Sequence, residues 1–414
     1  MPTYRIIILE EFLIIICKFR GDKSMGKRFK ILIAASLIMS TALLSSCMSI
    51  ITSDNISKEA NASKKVEQNE NENKKDEPNT PDQIEKQEPP KEEVKLVPYE
   101  GVVEHIFFHP LIAYPELAFK GNQAKGYNDY FVTVKEFNSI IDSLYKKGFI
   151  LVDINSVYGI VEENGKKVIK RAKLMLPEGK KPIILSIDDL NYYKYMIKNG
   201  NVYKLILDSD GNIATYSKNP EGKDVISYDN EIIPILDKFV EEHPDFSLNG
   251  AKGTIALTGY EGILGYRTDF DSPNHELERA EALKIVKRLK KTGWTFASHS
   301  YGHFDAPKVT YDKFVRDTDK WKKEVESLTG PTQVYIYPFG SRVLPGDKKF
   351  DYLLKSGFKI LCAVGPTSYE KIVPNAVMTD RRHIDGIGLH SQRDLFLDLF
   401  DSNEIIDSVR PDNY

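Results

Sequence analysis

Apolar residues follow two alternating patterns along the chain from about residue 99 to the end. Short apolar runs predict buried strands, and apolar residues that recur every three or four positions predict amphipathic helices. The predicted strands cover 102–108, 149–154, 182–189, 253–259, 294–297, 333–337 and 359–364. The predicted helices cover 134–148, 232–242, 274–292, 311–328 and 348–356. Strands that alternate with helices in this way predict an α/β fold with a mostly parallel sheet, either closed into a barrel or doubly wound.

One stretch interrupts this alternation. Apolar and polar residues alternate on both sides of an Asp-Ser-Asp-Gly sequence at 208–211, which predicts a β-hairpin inserted at about 200–218. Two aspartates and a glycine could also begin a calcium-binding loop. The ligand pattern of such a loop is incomplete here, so we interpret 208–211 as a turn.

The segment 25–46 has the pattern of a targeting signal. Basic residues precede an apolar run at 31–44, which is too short for a comfortable membrane span. The run ends in Leu-Ser-Ser-Cys at 44–47, which resembles a bacterial lipobox. That resemblance implies a lipoprotein signal peptide, with Cys47 lipidated and the protein anchored at the extracytoplasmic face of the cell membrane. The alternative is a transmembrane anchor with an incidental cysteine.

Two further segments flank this signal. Residues 1–24 hold a second apolar stretch interrupted by Glu10 and Glu11. We interpret it either as the product of an over-extended start codon or as a cytoplasmic extension. Residues 47–98 are rich in Asn, Glu, Lys and Pro, a composition that cannot offset the entropy lost on ordering. We therefore predict a disordered polar tether at 47–98 and one folded domain at 99–414.

Composition changes this picture in two respects. The 414 residues include 57 basic and 60 acidic side chains, a formal net charge of −3, which argues against a nucleic-acid-binding protein. Only three cysteines are present, which excludes a disulfide-dense scaffold. Cys362 is the only cysteine of the predicted domain, and its apolar neighbours indicate a buried, inert thiol. We expect a monomer with no nucleic-acid partner.

Candidate chemistry begins at Asp188 and Asp189, which close an apolar strand. One carboxylate there could simply cap a turn, and two adjacent ones on a strand point to opposite sides, so they suit different tasks. His299 and His303 directly follow another predicted strand. Histidines four residues apart lie on one face of a helical turn, so both imidazoles could reach one metal ion. Together with a carboxylate they predict a metal site that leaves positions open for water.

A third element is the strand that stops at a Pro-Phe-Gly turn, residues 338–340. This turn could be an ordinary strand exit. It could also direct the backbone N–H of Phe339 toward a developing oxyanion.

Taken together, these motifs carry a family resemblance. Ser-Ile-Asp-Asp at 186–189, His-Ser-Tyr-Gly-His at 299–303 and Tyr-Pro-Phe-Gly at 337–340 resemble the ordered motifs of the polysaccharide deacetylases, the NodB-homology domain of carbohydrate esterase family four. Phe-Phe-His-Pro-Leu-Ile at 107–112 is similar to the early segment of the poly-N-acetylglucosamine deacetylase branch. The resemblance extends over roughly 105–389.

The resemblance implies a distorted (β/α) barrel that removes acetyl groups from N-acetylglucosamine in a cell-wall or extracellular polysaccharide. It implies that Asp189, His299 and His303 hold a divalent metal. Zinc is the first choice, and cobalt, nickel, manganese and iron also accept such ligands.

The same resemblance implies the remaining roles. Asp188 would be the general base, His109 would protonate the departing amine, and the Phe339 N–H would help to hold the oxyanion. His109 can titrate near neutral pH if its pKa keeps the ordinary value of about 6.5. Substrate contacts are expected from Tyr301, Pro338 and Arg382. Other aromatic residues could stack on sugar rings or belong to the core: Tyr192, Tyr193, Tyr195 and Phe304.

The chain departs from the family pattern at several positions. Leu190 stands where a glycine is common, and Ile336 stands where an arginine often orients the base. Arg381 or Arg382 could supply that guanidinium from a later strand end, or the two could form a solvated basic pair.

The general acid is a further open choice. His390 resembles the late Leu-x-His of other branches, but it follows Leu389 directly and so departs from that spacing. We therefore prefer His109. We interpret the remaining histidines as structural or surface residues: His105, His243, His275 and His383. Two alternative functions keep the same fold, a non-catalytic glycan-binding surface lipoprotein and an esterase that removes O-acetyl groups from polysaccharide.

Overall fold

The computed structural model describes residues 95–163 and 165–411. The predicted signal segment, Cys47 and almost all of the tether lie outside these residues, so their predictions stay untested. Within the described part of the chain, no helix is both long enough and apolar enough to cross a membrane.

The strands are β1 (Leu96–Tyr99), β2 (Glu104–Phe108), β3 (Phe149–Leu151), β4 (Tyr158–Glu163), β5 (Lys166–Arg171), β6 (Leu174–Pro177), β7 (Lys181–Asp188), β8 (Lys204–Leu207), β9 (Ile213–Lys218), β10 (Asp224–Ser227), β11 (Thr254–Leu257), β12 (Thr295–Ser298), β13 (Val334–Ile336), β14 (Ile360–Val364), β15 (Tyr369–Val373) and β16 (Ala376–His383).

The α-helices are α1 (Pro115–Ala118), α2 (Ala124–Tyr130), α3 (Val134–Lys146), α4 (Ile154–Val157), α5 (Lys194–Lys198), α6 (Ile232–Glu242), α7 (His275–Lys291), α8 (Tyr311–Trp321), α9 (Ser327–Thr329), α10 (Lys348–Lys355), α11 (Gly386–Ser391) and α12 (Ser402–Ile405). Short 3₁₀ turns cover Pro244–Phe246, Leu248–Gly250, Pro338–Gly340 and Arg393–Leu395, and a π-helical turn covers Lys322–Glu326.

Seven parallel strands close into a barrel in the order β7, β11, β12, β13, β14, β16, β2 and back to β7. The barrel is distorted at β7. Its first residues pair with β3, from Lys181 opposite Phe149, and its last ones pair with β11, up to Asp188 opposite Ala256. The predicted distorted (β/α) barrel is confirmed.

Two hydrophobic clusters explain why β7 is apolar along its length. Ile183, Leu185 and Ile187 belong to the large cluster that packs the barrel against the helices. Ile184 belongs to a second cluster inside the barrel, together with the predicted buried thiol of Cys362, which is 0% exposed. A parallel strand covered on both faces carries such a near-continuous apolar run. The polar side chains of β7 that share the face of Ile184 therefore lie inside the barrel.

Several elements differ from the sequence prediction. The predicted hairpin is present as β8 and β9, and β10 adds a third antiparallel strand. The helix predicted at 311–328 is interrupted after Trp321 by the π-helical turn. β4, β5 and β16 were not predicted, because charged residues interrupt the apolar runs expected of strands.

Candidate active site

The candidate active site lies at the end of the barrel where the parallel strands finish. Asp188 is the last residue of β7 and His383 the last of β16, while His109 and His299 directly follow β2 and β12. Loops at this end of a (β/α) barrel carry the functional groups of such enzymes. The sequence pattern placed its candidates at strand ends, and the closed barrel brings these ends to one rim.

Asp188 points into the barrel and is bound by Arg381. The two Asp188 oxygens accept hydrogen bonds of 2.7 and 2.8 Å from the two terminal nitrogens of the Arg381 guanidinium, which is fully buried. Burial alone would raise the pKa of Asp188, but the Arg381 charge holds it well below its usual value. Asp188 therefore stays ionised and can accept a proton.

Asp189 leaves the strand in the left-handed conformation, with φ of 59°. Its Oδ2 lies 3.6 Å from His303 Nε2, while Asp188 Oδ2 lies 3.8 Å from His299 Nε2. The expectation that the two carboxylates point to opposite sides is therefore wrong. Strand alternation ends at Asp188, and the left-handed turn brings both carboxylates to the same pair of imidazoles.

The histidine pair does not lie on a helical turn, which corrects the sequence prediction. Residues 299–303 form a loop in which Ser300 and His303 have φ of 56° and 52°. The loop is held by Asp317, which accepts hydrogen bonds from the backbone N–H groups of the two residues between them. The two imidazole rings still converge, with centroids 5.0 Å apart.

These side chains fit a divalent metal ion. One ligand atom each from Asp189, His299 and His303 lies within 4.8 Å of the other two. His299 Nδ1 donates to the carbonyl of Ile336 at 2.9 Å, which leaves Nε2 free to bind a cation. Burial lowers the pKa of His299, which favours the neutral imidazole that a metal requires.

His109 lies beside this cluster, with its Nε2 3.9 Å from Asp189 Oδ2. Its Nδ1 is 3.2 Å from His383 Nε2, and His383 Nδ1 is 2.9 Å from Asp385 Oδ2. A carboxylate only accepts, so His383 carries its proton on Nδ1 and donates it to Asp385. The Nε2 atom of neutral His383 is then an acceptor, so His109 carries its own proton on Nδ1 and donates it to His383. His109 Nε2 then faces the cluster as a proton acceptor.

Burial lowers the pKa of His109 to about 4, and the neighbouring His383 lowers it further in the same direction. The condition set in the sequence analysis, that the pKa of His109 keeps its ordinary value, is therefore not met. His109 is neutral at pH 7 in the free protein. It can gain a proton only when negative charge develops beside it.

The predicted oxyanion turn also reaches the cluster. Phe339 has φ of 58° and an exposed side chain, and its ring centroid lies 4.6 Å from that of His303. Pro338 is buried beneath it, so its predicted contact with substrate is not supported. The turn therefore borders His303, with the exposed Phe339 ring beside its imidazole.

Two other sequence predictions are corrected by the structure. Arg382 binds Asp398 and Glu104 at 2.7 and 3.1 Å, since it faces the opposite side of β16 from Arg381. Tyr301 is buried and donates its hydroxyl hydrogen to a glutamate of the π-helical turn. Neither side chain is available to a substrate. His390, the alternative general acid that we did not prefer, lies on α11.

The departures from the family pattern are absorbed by the fold. Leu190 is 0% exposed and belongs to the large cluster, and the side chain of Ile336 fills the barrel. The guanidinium expected near position 336 comes instead from Arg381 on β16. Tyr192 and Tyr193 are buried, whereas Tyr195 is 42% exposed.

Sequence reasoning missed His383, which it interpreted as a structural or surface residue, and it did not consider Asp385. The signal was present in the strand period of two. Residues 381 and 383 of one strand share a face, so a guanidinium aimed into the site at 381 also predicts an imidazole there at 383. Ser186 was missed for the same reason, because it shares the face of Asp188 and accepts from Arg381 at 3.1 Å.

Three solved structures are similar to the chain. BA0330 from Bacillus anthracis is 16% identical over 69% of this chain and 65% of its own, with a TM-score of 0.39. The Streptococcus pyogenes deacetylase PplD, solved with acetate, is 15% identical over 70% and 94%, with a TM-score of 0.37. BC0361, a polysaccharide deacetylase from Bacillus cereus, is 16% identical over 69% and 65%, with a TM-score of 0.37. The chain thus spans just under two thirds of both Bacillus proteins. No curated protein matches the sequence.

The family comparison is more direct. Residues 251–358 match the family model described as polysaccharide deacetylase. This segment contains His299, His303 and the 337–340 turn, and the barrel adds the aspartate pair that precedes it. This segment of the chain is therefore similar to the polysaccharide deacetylase family.

Proposed function

We propose that the protein is a metal-dependent hydrolase that removes N-acetyl groups from N-acetylglucosamine units of a cell-wall or extracellular polysaccharide. The observation that carries this proposal is the convergence of Asp189, His299 and His303 beside a carboxylate that Arg381 keeps ionised. A bound divalent cation, with zinc the first choice, would polarise the acetyl carbonyl and make water a stronger nucleophile at neutral pH.

Asp188 accepts the proton of the attacking water. Its Oδ2 lies 3.8 Å from His299 Nε2, so it borders the position where that water must lie. Arg381 fixes both carboxylate oxygens, so the base cannot rotate away from the water. General bases positioned in this way typically contribute about 10²–10⁴-fold to the rate.

His109 Nε2 takes up a proton from solvent as negative charge develops on the substrate, and it then gives this proton to the departing nitrogen. The charge on its ring is supported from behind by His383 and Asp385, which accept in turn from Nδ1 of His109 and of His383. An amine leaves far more easily when protonated, whereas an alcohol depends less on an acid. This arrangement therefore favours N-acetyl over O-acetyl substrates.

Exposed aromatic side chains around the rim suit a sugar chain. Phe339 is 67% exposed, Tyr130 49% and Tyr195 42%. Aromatic faces stack on the apolar faces of sugar rings, and Phe339 already borders His303. The N–H of Phe339 would hold the oxyanion. A protein anchored through lipidated Cys47 would meet such a glycan outside the cell membrane.

One assay tests the activity. The full-length protein is solubilised in detergent, its metal content is measured, and acetate release is followed from chito-oligosaccharides, peptidoglycan and acetylated xylan. We expect one metal per chain and acetate from the first two substrates, with the Asp188→Asn variant as the inactive control. Bound metal with no acetate from any substrate would favour a glycan-binding protein, and acetate from xylan alone would favour an esterase.

A second assay tests the anchor. Cells that express the protein are grown with radiolabelled palmitate, and we expect label in the wild type and none in Cys47→Ser. Label that persists in the variant would contradict lipidation at Cys47.

A further inference from the structure

The two oxygens of Asp189 have different surroundings. Oδ2 faces the imidazoles, 3.6 Å from His303 Nε2. Oδ1 accepts a hydrogen bond of 2.7 Å from the hydroxyl of Tyr193, a side chain that is 2% exposed. One oxygen is thus directed toward the metal position, and the other is held from behind by a phenol.

The direction of this hydrogen bond follows from its partners. Tyr193 lies within hydrogen-bond distance of both Asp189 Oδ1 and the Thr258 hydroxyl. A carboxylate can only accept, so the phenol hydrogen points to Asp189 and the Thr258 hydroxyl donates to the phenol oxygen. Thr258, Tyr193 and Asp189 form one ordered chain of hydrogen bonds.

Two contacts fix the Tyr193 side chain: its ring stacks on a second tyrosine, and its hydroxyl is bound to Thr258, which is itself fixed. Its ring stacks on Tyr260 with centroids 4.5 Å apart and an interplanar angle of 8°. Thr258 is fixed through its backbone, since Asn191 donates to its carbonyl at 3.0 Å and accepts from its N–H at 3.3 Å. The loops after β7 and β11 are thereby joined behind Asp189.

Asp189 needs this support because it lacks the restraint that its neighbour has. Asp188 is bound by two nitrogens of Arg381, whereas the ion-pair partners of Asp189 in the described part of the chain are the histidines His109 and His303. Asp189 also has a left-handed backbone, with φ of 59°. Without the phenol its carboxylate could rotate.

We propose that Tyr193 is a positioning residue of the metal centre, which holds Asp189 through Oδ1 so that Oδ2 is presented to the cation. This inference rests on the proposed metal-dependent function. Hydrogen-bond partners behind a ligand orient it and tune its basicity, and their removal typically weakens metal binding about 10–100-fold.

The test measures zinc affinity, which requires no knowledge of the glycan. Full-length wild-type protein and the Tyr193→Phe variant are titrated with zinc in competition with a chromophoric chelator. We expect a Kd about 10–100-fold weaker for Tyr193→Phe. The matched control is Tyr192→Phe, which removes the phenol oxygen of the adjacent buried tyrosine, bound to Glu231 at 3.2 Å. We expect the control to keep the wild-type Kd.

The outcomes separate this inference from the proposed function. One tightly bound zinc in the wild type, with the same Kd in Tyr193→Phe, overturns the role of Tyr193 and leaves the metal site in place. No zinc binding by the wild type overturns the metal site itself. Equal weakening by both tyrosine variants also overturns the inference, because it would reflect a general loss of structure.

If Tyr193→Phe does not fold, Thr258→Val supplies the same test from one bond further away. It removes the hydroxyl that donates to the phenol oxygen while the ring stays in place. We expect a smaller weakening of zinc binding than the 10–100-fold range, and an unchanged Kd would count against the chain of hydrogen bonds.

Discussion

The barrel interior beneath Asp188 and the loop region around Asp189 give two adjacent carboxylates opposite environments. In the interior, a buried guanidinium supplies a fixed positive charge to Asp188. In the loops, a neutral phenol and imidazoles surround Asp189. A carboxylate that a fixed cation keeps ionised is available as a base, and one without a fixed cation is available to bind a metal ion. The surroundings, more than the residue type, divide the two roles.

A third buried carboxylate, Glu231, receives its hydrogen bonds from neutral groups. Glu231 is 0% exposed and accepts hydrogen bonds from two backbone N–H groups and from Tyr192. Burial raises its pKa to about 7, although these hydrogen bonds oppose the rise. In Glu231 these hydrogen bonds do not offset the effect of burial on the pKa. The guanidinium of Arg381 does so for Asp188.

The largest expected effect concerns the base itself. Replacing Asp188 by Asn keeps the shape and removes the proton acceptor, so we expect kcat to fall by about 10²–10⁴-fold. Zinc affinity should stay within a few-fold of the wild type, since Asp188 is outside the ligand set. Steady-state kinetics and zinc titration measure the two quantities. If the variant lost zinc as well as activity, this would contradict the claim that Asp188 acts as the base without binding the metal.

The next effect concerns the partner of the base. Arg381→Met leaves Asp188 buried without a cation, so we expect the free energy of unfolding to fall by about 3–5 kcal/mol. Denaturant unfolding measures it. The double variant Asp188→Asn/Arg381→Met should be less destabilised than Arg381→Met alone. A loss in the double variant equal to the sum of the two single losses would show that the two charges act independently.

The pH dependence of this ion pair has a definite sign. Because Arg381 lowers the pKa of Asp188, the ion pair contributes fully above the unfolded value of about 3.9. Its contribution is lost as the pH falls through the lower folded pKa.

Glu231 should show the opposite dependence. Its folded pKa of about 7 exceeds the unfolded value of about 4.3. The stability that protonated Glu231 provides is therefore complete below about pH 4.3 and is lost progressively as the pH rises toward 7. We expect a slope of about 1.4 kcal/mol per pH unit in that window. Glu231→Gln should remove this slope, and an unchanged slope would contradict the assignment.

The smallest effect concerns the support of Arg381 inside the barrel. Ser186 Oγ accepts from Arg381 at 3.1 Å and lies 3.1 Å from His105 Nε2. Ser186→Ala should cost about 1 kcal/mol and lower kcat by a few-fold with KM unchanged. Ser186→Thr retains the hydroxyl and should restore kcat. A change in KM alone would indicate an effect on substrate binding instead.

Much of this architecture could be predicted from the sequence. Apolar runs such as Pro182–Ile187 predicted the barrel strands, because a parallel strand that is covered on both faces has a nearly continuous apolar sequence. The strand-ending aspartates and the histidine pair were recognisable because few residue types bind metals. The fold then brought the strand ends together, as parallel strands must.

The remaining features depend on backbone conformation that no local pattern encodes. Asp189 and His303 have left-handed backbone conformations. The predicted strand end at Asp189 and the predicted helical turn at His303 are therefore loops that converge. From the sequence, Tyr193 was interpreted as a residue that stacks on sugar rings or belongs to the core. Its hydrogen bond to Asp189, four residues earlier, depends on the bend of the chain between them. Which of Arg381 and Arg382 faces the barrel interior depends on the side-chain alternation of β16. This strand was not predicted, because charged residues interrupt its apolar sequence.

The central claim is that Asp189, His299 and His303 hold one metal ion while Asp188 remains free to act as the base. Crystals grown with zinc and measured on both sides of the zinc absorption edge test it most directly. We predict one anomalous peak about 2.0–2.2 Å from Asp189 Oδ2 and from Nε2 of both histidines. A peak bound to Asp188, or zinc that binds only elsewhere, would contradict this account.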